Sequence, residues 1–375
     1  MSARALRIAC LAAALLLAGA AGQEFLAMRT PEEIIPGPGV TGRSTLAAYN
    51  PRLRGRSGAS DVFVLDSGRR GGTVLVLGGT HPNEPAGFMA AVLLVERAVV
   101  RRGRLIVVPR ANGSGFTHTD PQEGSPQGFE IATPGGVRRF RYGSRGTNPT
   151  EQWPDPDVYV HVSSGQRLSG SEVRNLNRAF PGRADGTYTE QMALAITTLI
   201  RREQADLVID LHEASPEYPV INAIVAHERA MPLAAMVLLE MQAAGIQISL
   251  EGSPTNLRGL SHRELGDHTG ALAVLMETPN PAQGRIRART GPELILTGRD
   301  PAYERAAGAK RLFVPFTADG WPLEVRVGRH LTGVVFFARG LDLVKPGRGV
   351  LIEGIPDLAA LRASGLGPYL QPPAR

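Results

Sequence analysis

His81 and Glu84 are a pair of side chains whose types and spacing could do chemistry. They lie in the stretch GGTHPNEPAG at positions 78–87, directly after the apolar run 73–77. A histidine nitrogen and a carboxylate oxygen three residues apart in a tight turn can reach one ion. Zinc sites that hydrolyse bonds use three protein ligands of this kind and leave a fourth position for water. The pair therefore predicts part of a zinc site, and the third ligand must come from elsewhere in the chain.

His212 is the predicted third ligand, because it directly follows the apolar run 206–211, far downstream of Glu84. Arg110 and Glu277 also stand at the ends of apolar runs. In an open α/β sheet, ligands bind at the carboxyl ends of the strands, so these side chains are expected to converge. The chain has eight histidines, and a purely structural role is the alternative for any one of them.

The elements that must position these residues alternate between strand and helix. This alternation predicts an α/β fold with a largely parallel sheet covered on both sides. Apolar runs predict strands near 61–65, 73–77, 105–109, 206–211, 220–226, 246–250 and 271–276, and helical patterns cover 85–99, 189–204, 229–244 and 301–312. After about residue 314 the short runs 323–327 and 332–337 predict a small β-rich C-terminal unit.

The domain prediction follows these patterns. Residues 1–22 are predicted to be a signal peptide, 23–60 an irregular lead-in, 61–312 the catalytic domain, and 313–375 the small β-rich unit. Within the catalytic domain, residues 113–173 form a long insertion in which 16 of 61 residues are glycine or proline. A structureless insertion of this length is uncommon inside a compact domain, and it indicates either a functional loop, such as a lid or a wall of the substrate site, or disorder.

The N-terminal segment has the three parts of a secretory signal. Arg4 and Arg7 precede the apolar run 8–17, and the small residues of 18–22 follow. The predicted location is therefore periplasmic or secreted, with no stable membrane insertion after cleavage; an uncleaved anchor is the alternative. The single cysteine, Cys10, lies inside this segment. Cysteine nucleophiles and cysteine metal sites are thereby excluded from the mature protein.

Composition excludes several other function classes. The formal charge of +6 falls to +4 without Arg4 and Arg7, and the arginines are scattered without interleaved aromatic residues, so nucleic-acid binding is not predicted. The chain also lacks a G-x-S-x-G elbow, a P-loop and a dinucleotide fingerprint in a strand–turn–helix context.

Four segments in order resemble the succinylglutamate desuccinylase/aspartoacylase family, which belongs to the wider group of M14 zinc carboxypeptidase-like proteins. These segments are GGTHPNE at 78–84, NLNRAFPG at 175–182, DLHE at 210–213 and the strand-end Glu277. The resemblance covers roughly residues 60 to 310. It implies a three-layer α/β/α fold with a mixed, largely parallel sheet, and a β-rich C-terminal domain.

The resemblance also implies residue roles. His81, Glu84 and His212 match the ligands of one Zn²⁺ per chain, and Glu277 matches the glutamate that activates the metal-bound water. The substrate carboxylate would bind to Asn177 and Arg178, and the scissile carbonyl would be polarised by Arg110. Asp210 is a candidate to orient a ligand histidine or else a strand-end cap, and Glu213 has no predicted role. Asn175 departs from the family, which commonly has aspartate there.

The expected function is zinc-dependent hydrolysis of the amide bond in an N-acyl amino acid or a similar small amide that carries a carboxylate. Two alternatives stay open. One is an exported carboxypeptidase of the same fold that acts on peptides, including cell-wall peptides. The other is a zinc-containing binding protein without catalysis.

Overall fold

An eight-stranded sheet forms the centre of the protein in a computed structural model that describes residues 2–120 and 124–373. The strands are β1 (Gly42–Thr45), β2 (Asp61–Asp66), β3 (Thr73–Leu77), β4 (Val99–Arg102), β5 (Arg104–Val108), β6 (Gly128–Thr133), β7 (Gly136–Arg141), β8 (Val158–Val160), β9 (Arg167–Ser169), β10 (Leu207–Ala214), β11 (Ala223–Ala226), β12 (Ser249–Gly252), β13 (Leu272–Pro279) and β14 (Leu351–Glu353). The helices are α1 (Ala3–Ala27), α2 (Pro85–Arg97), α3 (Tyr188–Arg202), α4 (Met231–Ala243), α5 (Ser261–His268), α6 (Pro292–Thr297), α7 (Pro301–Gly308), α8 (Leu323–Val344) and α9 (Leu358–Ser364).

The strand order in the sheet is β1-β2-β5-β3-β10-β13-β11-β12. The four central strands β5, β3, β10 and β13 are mutually parallel, whereas β2 pairs with β5 and β11 pairs with β13 in antiparallel fashion. The predicted mixed, largely parallel sheet is therefore confirmed. Because β3, β10 and β13 are parallel neighbours, their carboxyl ends lie at one edge of the sheet.

Helices cover both faces of the sheet, as the three-layer prediction requires. Val74 and Val76 of β3 belong to a hydrophobic core shared with α2, α4 and α8. Leu75 and Leu77 point to the other face and belong to a second core shared with α3 and α5. Side chains alternate between the two faces of a strand, so a continuous apolar run is the pattern of a strand buried on both sides. The four side chains from Val74 to Leu77 are fully buried.

The predicted strands and helices from 61 to 308 are present, with small shifts at their ends. Helix α3 begins at Tyr188, one residue before the predicted start, and Thr187 caps it in a reciprocal capping box with Glu190. At α2, an added Cβ on Gly87 would lie 2.2 Å from the backbone oxygen of Leu211. Only glycine lets this helix approach β10 so closely.

The prediction of a β-rich C-terminal unit is wrong. Residues 323–344, which contain both of the predicted short strands, form the 22-residue helix α8. Its buried apolar residues recur at helical spacing and pack in the main hydrophobic core: Leu323, Val327, Leu331, Val334, Phe337, Ala338 and Leu341. Packing of this stripe overrides the local β preference of valine and phenylalanine, since strand propensity depends strongly on context.

The 113–173 insertion is ordered where it is described. It contains the hairpins β6–β7 and β8–β9, and the buried side chains of Phe129, Phe140 and Tyr159 anchor it. Residues 121–123 lie outside the described part of the chain. The expectation of a structureless segment is therefore not met, because a few buried aromatic residues are enough to fix two short hairpins on the body of the protein.

Helix α1 contains the predicted signal segment, and all of its residues are exposed. It is 25 residues long and contains an 18-residue window with a mean hydropathy of 2.0, so it is long and apolar enough to cross a membrane by length and composition. The helical segment thus exceeds the apolar run 8–17 from which the signal was predicted. A signal sequence near the N-terminus passes the same test.

Candidate metal centre and active site

The turn between β3 and α2 brings His81 and Glu84 into direct contact. The Nδ1 atom of His81 lies 2.7 Å from Oε1 of Glu84, and both side chains are buried. The backbone N–H of Glu84 donates to the carbonyl of His81 at 3.0 Å, which closes the turn. Gly79 permits this geometry, because its φ of +62° is a left-handed conformation that other residues rarely adopt.

His212 completes the cluster from β10, the neighbouring parallel strand. Its Nδ1 atom lies 2.9 Å from Oε2 of Glu84, and the His81 and His212 rings meet edge to face at a centroid distance of 4.7 Å. One potential ligand atom from each of the three residues lies within 4.8 Å of the others. Two imidazole nitrogens and one carboxylate are a donor set that suits a catalytic zinc ion with an open position.

The far side of each imidazole ring faces an acceptor oxygen. Nε2 of His81 lies 2.9 Å from Oδ1 of Asn175, and Nε2 of His212 lies 2.8 Å from Oδ2 of Asp210. The His212–Asp210 pair is a close charge contact whose angle is poor for a hydrogen bond; Thr80 donates to the other oxygen of Asp210 at 2.7 Å. Acceptors at these positions favour a proton on Nε2 of each ring, which leaves the two Nδ1 atoms facing Glu84 as the candidate metal-binding atoms.

The three candidate ligand residues perturb one another's protonation. Burial and the Arg145 cation lower the pKa of His81 to about 4. Burial alone would raise the pKa of Glu84, but the two histidines lower it well below its ordinary value. Burial opposes the charged form of His212, yet Asp210 and Glu84 raise its pKa. The cluster therefore favours a negative Glu84 and a neutral His81, the forms that bind a cation, whereas His212 favours the protonated form, whose proton a bound cation would displace.

Glu277 lies beside this cluster because β13 pairs in parallel with β10. The register places it opposite His212, so both side chains are on the same face of the sheet. Its Oε2 atom is buried and has no hydrogen-bond partner within residues 2–120 and 124–373. Burial raises the pKa of Glu277 to about 8. The nearby carboxylates of Glu84 and Asp210 also raise this pKa, whereas His212 lowers it. A carboxyl group with one buried, unpartnered oxygen is suited to accept or release a proton.

One cavity of about 330 Å³ unites these groups with the predicted carboxylate-binding pair. Its lining includes the three candidate ligand residues and Glu277, together with Asn177, Arg178 and Arg145. Oδ1 of Asn177 accepts the backbone N–H of Ser261 at 2.8 Å, and Arg178 donates to the carbonyl of Asn177 at 2.7 Å. Burial, followed by Arg145, lowers the pKa of Arg178. This cavity, defined by these lining residues, is called the catalytic pocket below.

Arg110 does not line the catalytic pocket. Its guanidinium donates to the Glu32 carbonyl at 2.9 Å and lies 3.5 Å from the Glu32 carboxylate. It lines a separate cavity with Met28 and Ser57. Arg110 follows β5, and β3 lies between β5 and β10 in the sheet. This separation from His212 explains why the structure does not support the predicted role of Arg110 in polarising the scissile carbonyl.

Arg145, from the insertion, occupies the place expected for Arg110. Its Nη1 atom lies 3.2 Å from both Oε1 of Glu84 and Nδ1 of His81. Sequence reasoning missed this residue because Arg145 lies in a segment without regular periodicity, where neighbours in space cannot be read from the pattern. Glu213 also gains a role: it accepts the N–H of Ala86 at 2.8 Å and pairs with Arg326.

A family model described as the succinylglutamate desuccinylase/aspartoacylase catalytic domain matches residues 159–290 of this chain. The predicted family resemblance is confirmed. The matched region contains Asn177, Arg178, His212 and Glu277, whereas His81 and Glu84 precede it.

Among curated proteins, the N-alpha-acetyl-L-2,4-diaminobutyric acid deacetylase of Halomonas elongata is 26% identical over 168 residues, which is 44% of this chain and 35% of that protein. The chain therefore matches about a third of the length of this relative. Among solved structures, a Silicibacter succinylglutamate desuccinylase has 22% identity and a TM-score of 0.37, covering 58% of this chain and 52% of its own.

Two further structures cover more of the chain at lower identity. A cell shape determinant protein from Helicobacter pylori has 15% identity and a TM-score of 0.46, covering 80% of this chain and 58% of its own. A metallo-carboxypeptidase from Burkholderia cenocepacia has 14% identity and a TM-score of 0.46, covering 86% and 68%.

Proposed function

We propose that this protein is a zinc-dependent hydrolase that cleaves the amide bond of an N-acyl amino acid or a similar small amide bearing a carboxylate. The observation that carries the proposal is the convergence of His81, Glu84, His212 and Glu277 in one pocket with two guanidinium groups. The match to the desuccinylase/aspartoacylase catalytic domain and the deacetylase relative support the same chemistry.

The proposed role of each residue follows from its position in the pocket. His81, Glu84 and His212 would hold the zinc ion, which would act as a Lewis acid and lower the pKa of water to about 7. Glu277 would take a proton from the attacking water and pass it to the leaving nitrogen. A carboxyl group with a pKa near 8 can both accept and release a proton close to neutrality.

The two arginines would share the substrate's negative charge. Arg178, held next to Asn177, would bind the carboxylate of the leaving half through paired hydrogen bonds. Arg145, beside Glu84, would supply fixed positive charge where the carbonyl oxygen becomes negative. Because the Arg178 side chain is only 18% exposed, its attraction for a carboxylate is strengthened, and the pocket favours amides with a carboxylate close to the scissile bond.

The decisive experiment measures the metal content of the purified protein and of two histidine variants. We expect about one zinc per chain in the wild type, loss of zinc in His212→Ala and retention in His268→Ala, since His268 lies on α5 outside the pocket. A protein that neither contains nor takes up zinc would contradict the hydrolase proposal.

A parallel assay separates the proposed substrates from the alternatives. N-acyl amino acids and peptides with free carboxyl ends are offered to the zinc-loaded protein. Turnover of peptides alone would favour the carboxypeptidase, and metal binding without any turnover would favour the binding protein.

We also propose that the protein is exported, with α1 as its signal. The apolar composition of this helix and its position near the N-terminus support export. An anchored protein with an intact α1 is the alternative.

A further inference from the structure

His262 is a buried histidine that lines the catalytic pocket and has no part in the proposed chemistry. It is 5% exposed and is the second residue of α5. The start of α5 is fixed beside the proposed carboxylate-binding pair, since the backbone N–H of Ser261 donates to Asn177 at 2.8 Å. His262 therefore lies next to the place where the leaving half of the substrate would bind.

The hydrogen bonds of Ser253 determine which ring nitrogen of His262 carries the proton. Arg263 donates through Nε to the hydroxyl oxygen of Ser253 at 3.1 Å, and its guanidinium is held by Glu228 at 2.7 Å. The same hydroxyl lies 2.7 Å from Nδ1 of His262, and its proton has no other acceptor within residues 2–120 and 124–373. Ser253 therefore donates to Nδ1, and the ring proton of His262 is on Nε2.

The Nε2 atom of His262 is a hydrogen-bond donor that the ring offers to the pocket. In the described part of the chain it forms no hydrogen bond, and it is not one of the fully buried unpartnered atoms. Burial, followed by the nearby His212, lowers the pKa of His262 to about 3, so the ring is neutral and carries one N–H. Such a donor favours a ligand with an acceptor, because a polar group left unpaired out of water costs free energy.

Apolar side chains share this part of the pocket with His262. Leu275 lies two residues before Glu277 on β13, on the same face of the sheet, and Val225 is its register partner on β11. Leu260 directly precedes α5. We call the following five lining residues the apolar wall: Val220, Val225, Leu257, Leu260 and Leu275.

The bonds of the substrate direct one of its groups to this wall. In the proposed function Arg178 binds the carboxylate of the leaving half, and the leaving nitrogen faces Glu277. Both groups are attached to the same Cα atom of the leaving amino acid, so the side chain is the remaining substituent. Because Asn177, the neighbour of Arg178, is bonded to the start of α5, this side chain meets the apolar wall and His262.

A charged side chain would find no partner there. Arg145 lies 3.2 Å from Glu84, Arg178 would hold the substrate carboxylate, and no other arginine or lysine among the described residues lines the pocket. A second carboxylate buried against the apolar wall without a cation would be costly. Ammonium and guanidinium groups have donors only, so they cannot accept the N–H of His262.

We propose that His262 is a specificity-determining residue, and that the leaving half of the substrate is an amino acid whose uncharged side chain ends in a hydrogen-bond acceptor. This inference rests on the proposed function. Apolar walls with a few placed polar groups are the usual construction of a small-molecule site. The side chain of glutamine has the required chemistry, since its CH₂ groups suit the apolar wall and its amide oxygen can accept the N–H of His262.

The test compares N-acetyl derivatives of four amino acids of similar size, glutamine, methionine, glutamate and ornithine, with the zinc-loaded protein. We expect kcat/KM for the glutamine compound to exceed that for the methionine compound about three- to tenfold, the net worth of one hydrogen bond. The two charged compounds should be slower than both. A glutamine compound no faster than the methionine one overturns the proposal. Fastest turnover of the glutamate compound, or of the ornithine compound, whose cation could reach the exposed Glu251, also overturns it.

Variants of His262 test its role directly. His262→Phe keeps a ring and removes the donor, so it should raise KM for N-acetylglutamine to about the value for N-acetylmethionine, with kcat nearly unchanged. His262→Gln keeps an N–H group and should retain part of the preference. His268→Phe, on the same helix outside the pocket, is the matched control. Equal losses for all four substrates would show a structural role and overturn the proposal, as would a preference that His262→Phe leaves unchanged.

Calorimetric titration of the Glu277→Gln protein with the same four compounds separates this inference from the proposed function, since it measures binding without turnover. Preferential binding of N-acetylglutamine that is lost when His262→Phe is added supports the proposal even if the wild-type protein hydrolyses none of the compounds. Equal binding of all four, or binding of none, overturns it whatever the activity.

Discussion

At the scale of single residues, the candidate metal ligands and the proposed acid–base group of the pocket differ in their partners. Nε2 of His81 and Nε2 of His212 each face an acceptor, and Glu84 lies between the two Nδ1 atoms. The Oε2 atom of Glu277 has no partner in the described part of the chain. Asn175, where the family commonly has aspartate, still places an oxygen against its histidine, so this departure does not remove the second contact to the ring.

The first prediction concerns Glu277. Replacing it with glutamine removes proton transfer while keeping the shape of the side chain, so kcat should fall by about 10²- to 10⁴-fold. Zinc content should not change, because Glu277 is not among the three clustered ligand residues. Glu251→Gln is the control, since Glu251 lines the same pocket. A Glu277→Gln protein that hydrolyses as fast as wild type would refute the role of this residue.

The second prediction distinguishes the two arginines. Arg145→Gln should lower kcat by about 10²- to 10³-fold, the range for loss of one group that stabilises an oxyanion. Arg110→Gln should leave kcat near wild type, because Arg110 pairs with Glu32 in another cavity. Steady-state kinetics on the same substrate give both values. The reverse pattern would restore the role that the sequence suggested for Arg110.

At the scale of elements, α8 contacts β10, the strand that carries His212, on the sheet face opposite to His212. Arg326 of α8 and Glu213 of β10 form a fully buried ion pair at 2.5 Å. Glu213 follows His212 and points to the opposite face of the sheet, where it also receives the N–H of Ala86 at the start of α2. His330, one turn after Arg326, lies 3.4 Å from Thr278 next to Glu277. The helix thus contacts both strands that carry the active site.

The third prediction tests this ion pair. Arg326→Met should lower the free energy of unfolding by about 3 to 5 kcal/mol, because it leaves the buried Glu213 without its partner. The double variant Glu213→Gln/Arg326→Met should recover much of the loss, since glutamine keeps an acceptor for Ala86. Urea unfolding measures both. If the double variant is as unstable as the single one, the loss comes from packing and not from charge.

At the scale of the whole molecule, α1 is separate from both hydrophobic cores. All residues of α1 are exposed, whereas Met28 immediately after it is buried. A helix that contributes no buried side chain adds little to the stability of the fold. The exposed apolar surface of α1 fits a signal segment that is not packed on the rest of the protein, and this is the basis of the proposed export.

The fourth prediction concerns α1. A protein that begins at Gln23 should have the same melting temperature as the full chain, because no buried side chain is removed. In a bacterial host, the full chain should appear in the periplasm with its N-terminus near Gln23, as determined by mass spectrometry. An intact N-terminus in the membrane fraction would show that α1 is an anchor.

The sequence by itself determined the central sheet and the cluster of candidate metal ligands. Apolar runs such as 73–77 are typical of strands buried on both faces, and neighbouring parallel strands bring their carboxyl ends together. Residues at the ends of β3, β10 and β13 therefore meet, whereas Arg110 at the end of β5 lies in another cavity. The spacing of Leu323, Val327, Leu331 and Val334 also carried the signal of α8, but the β-branched and aromatic residues between them concealed it.

Only the tertiary structure decided which arginine faces Glu84 and that Glu213 pairs with Arg326. Both contacts join segments that are distant in sequence, and Arg145 lies in an irregular segment whose path has no periodicity to read. Local patterns predict elements because backbone geometry repeats, whereas contacts between loops depend on the packing of the entire chain.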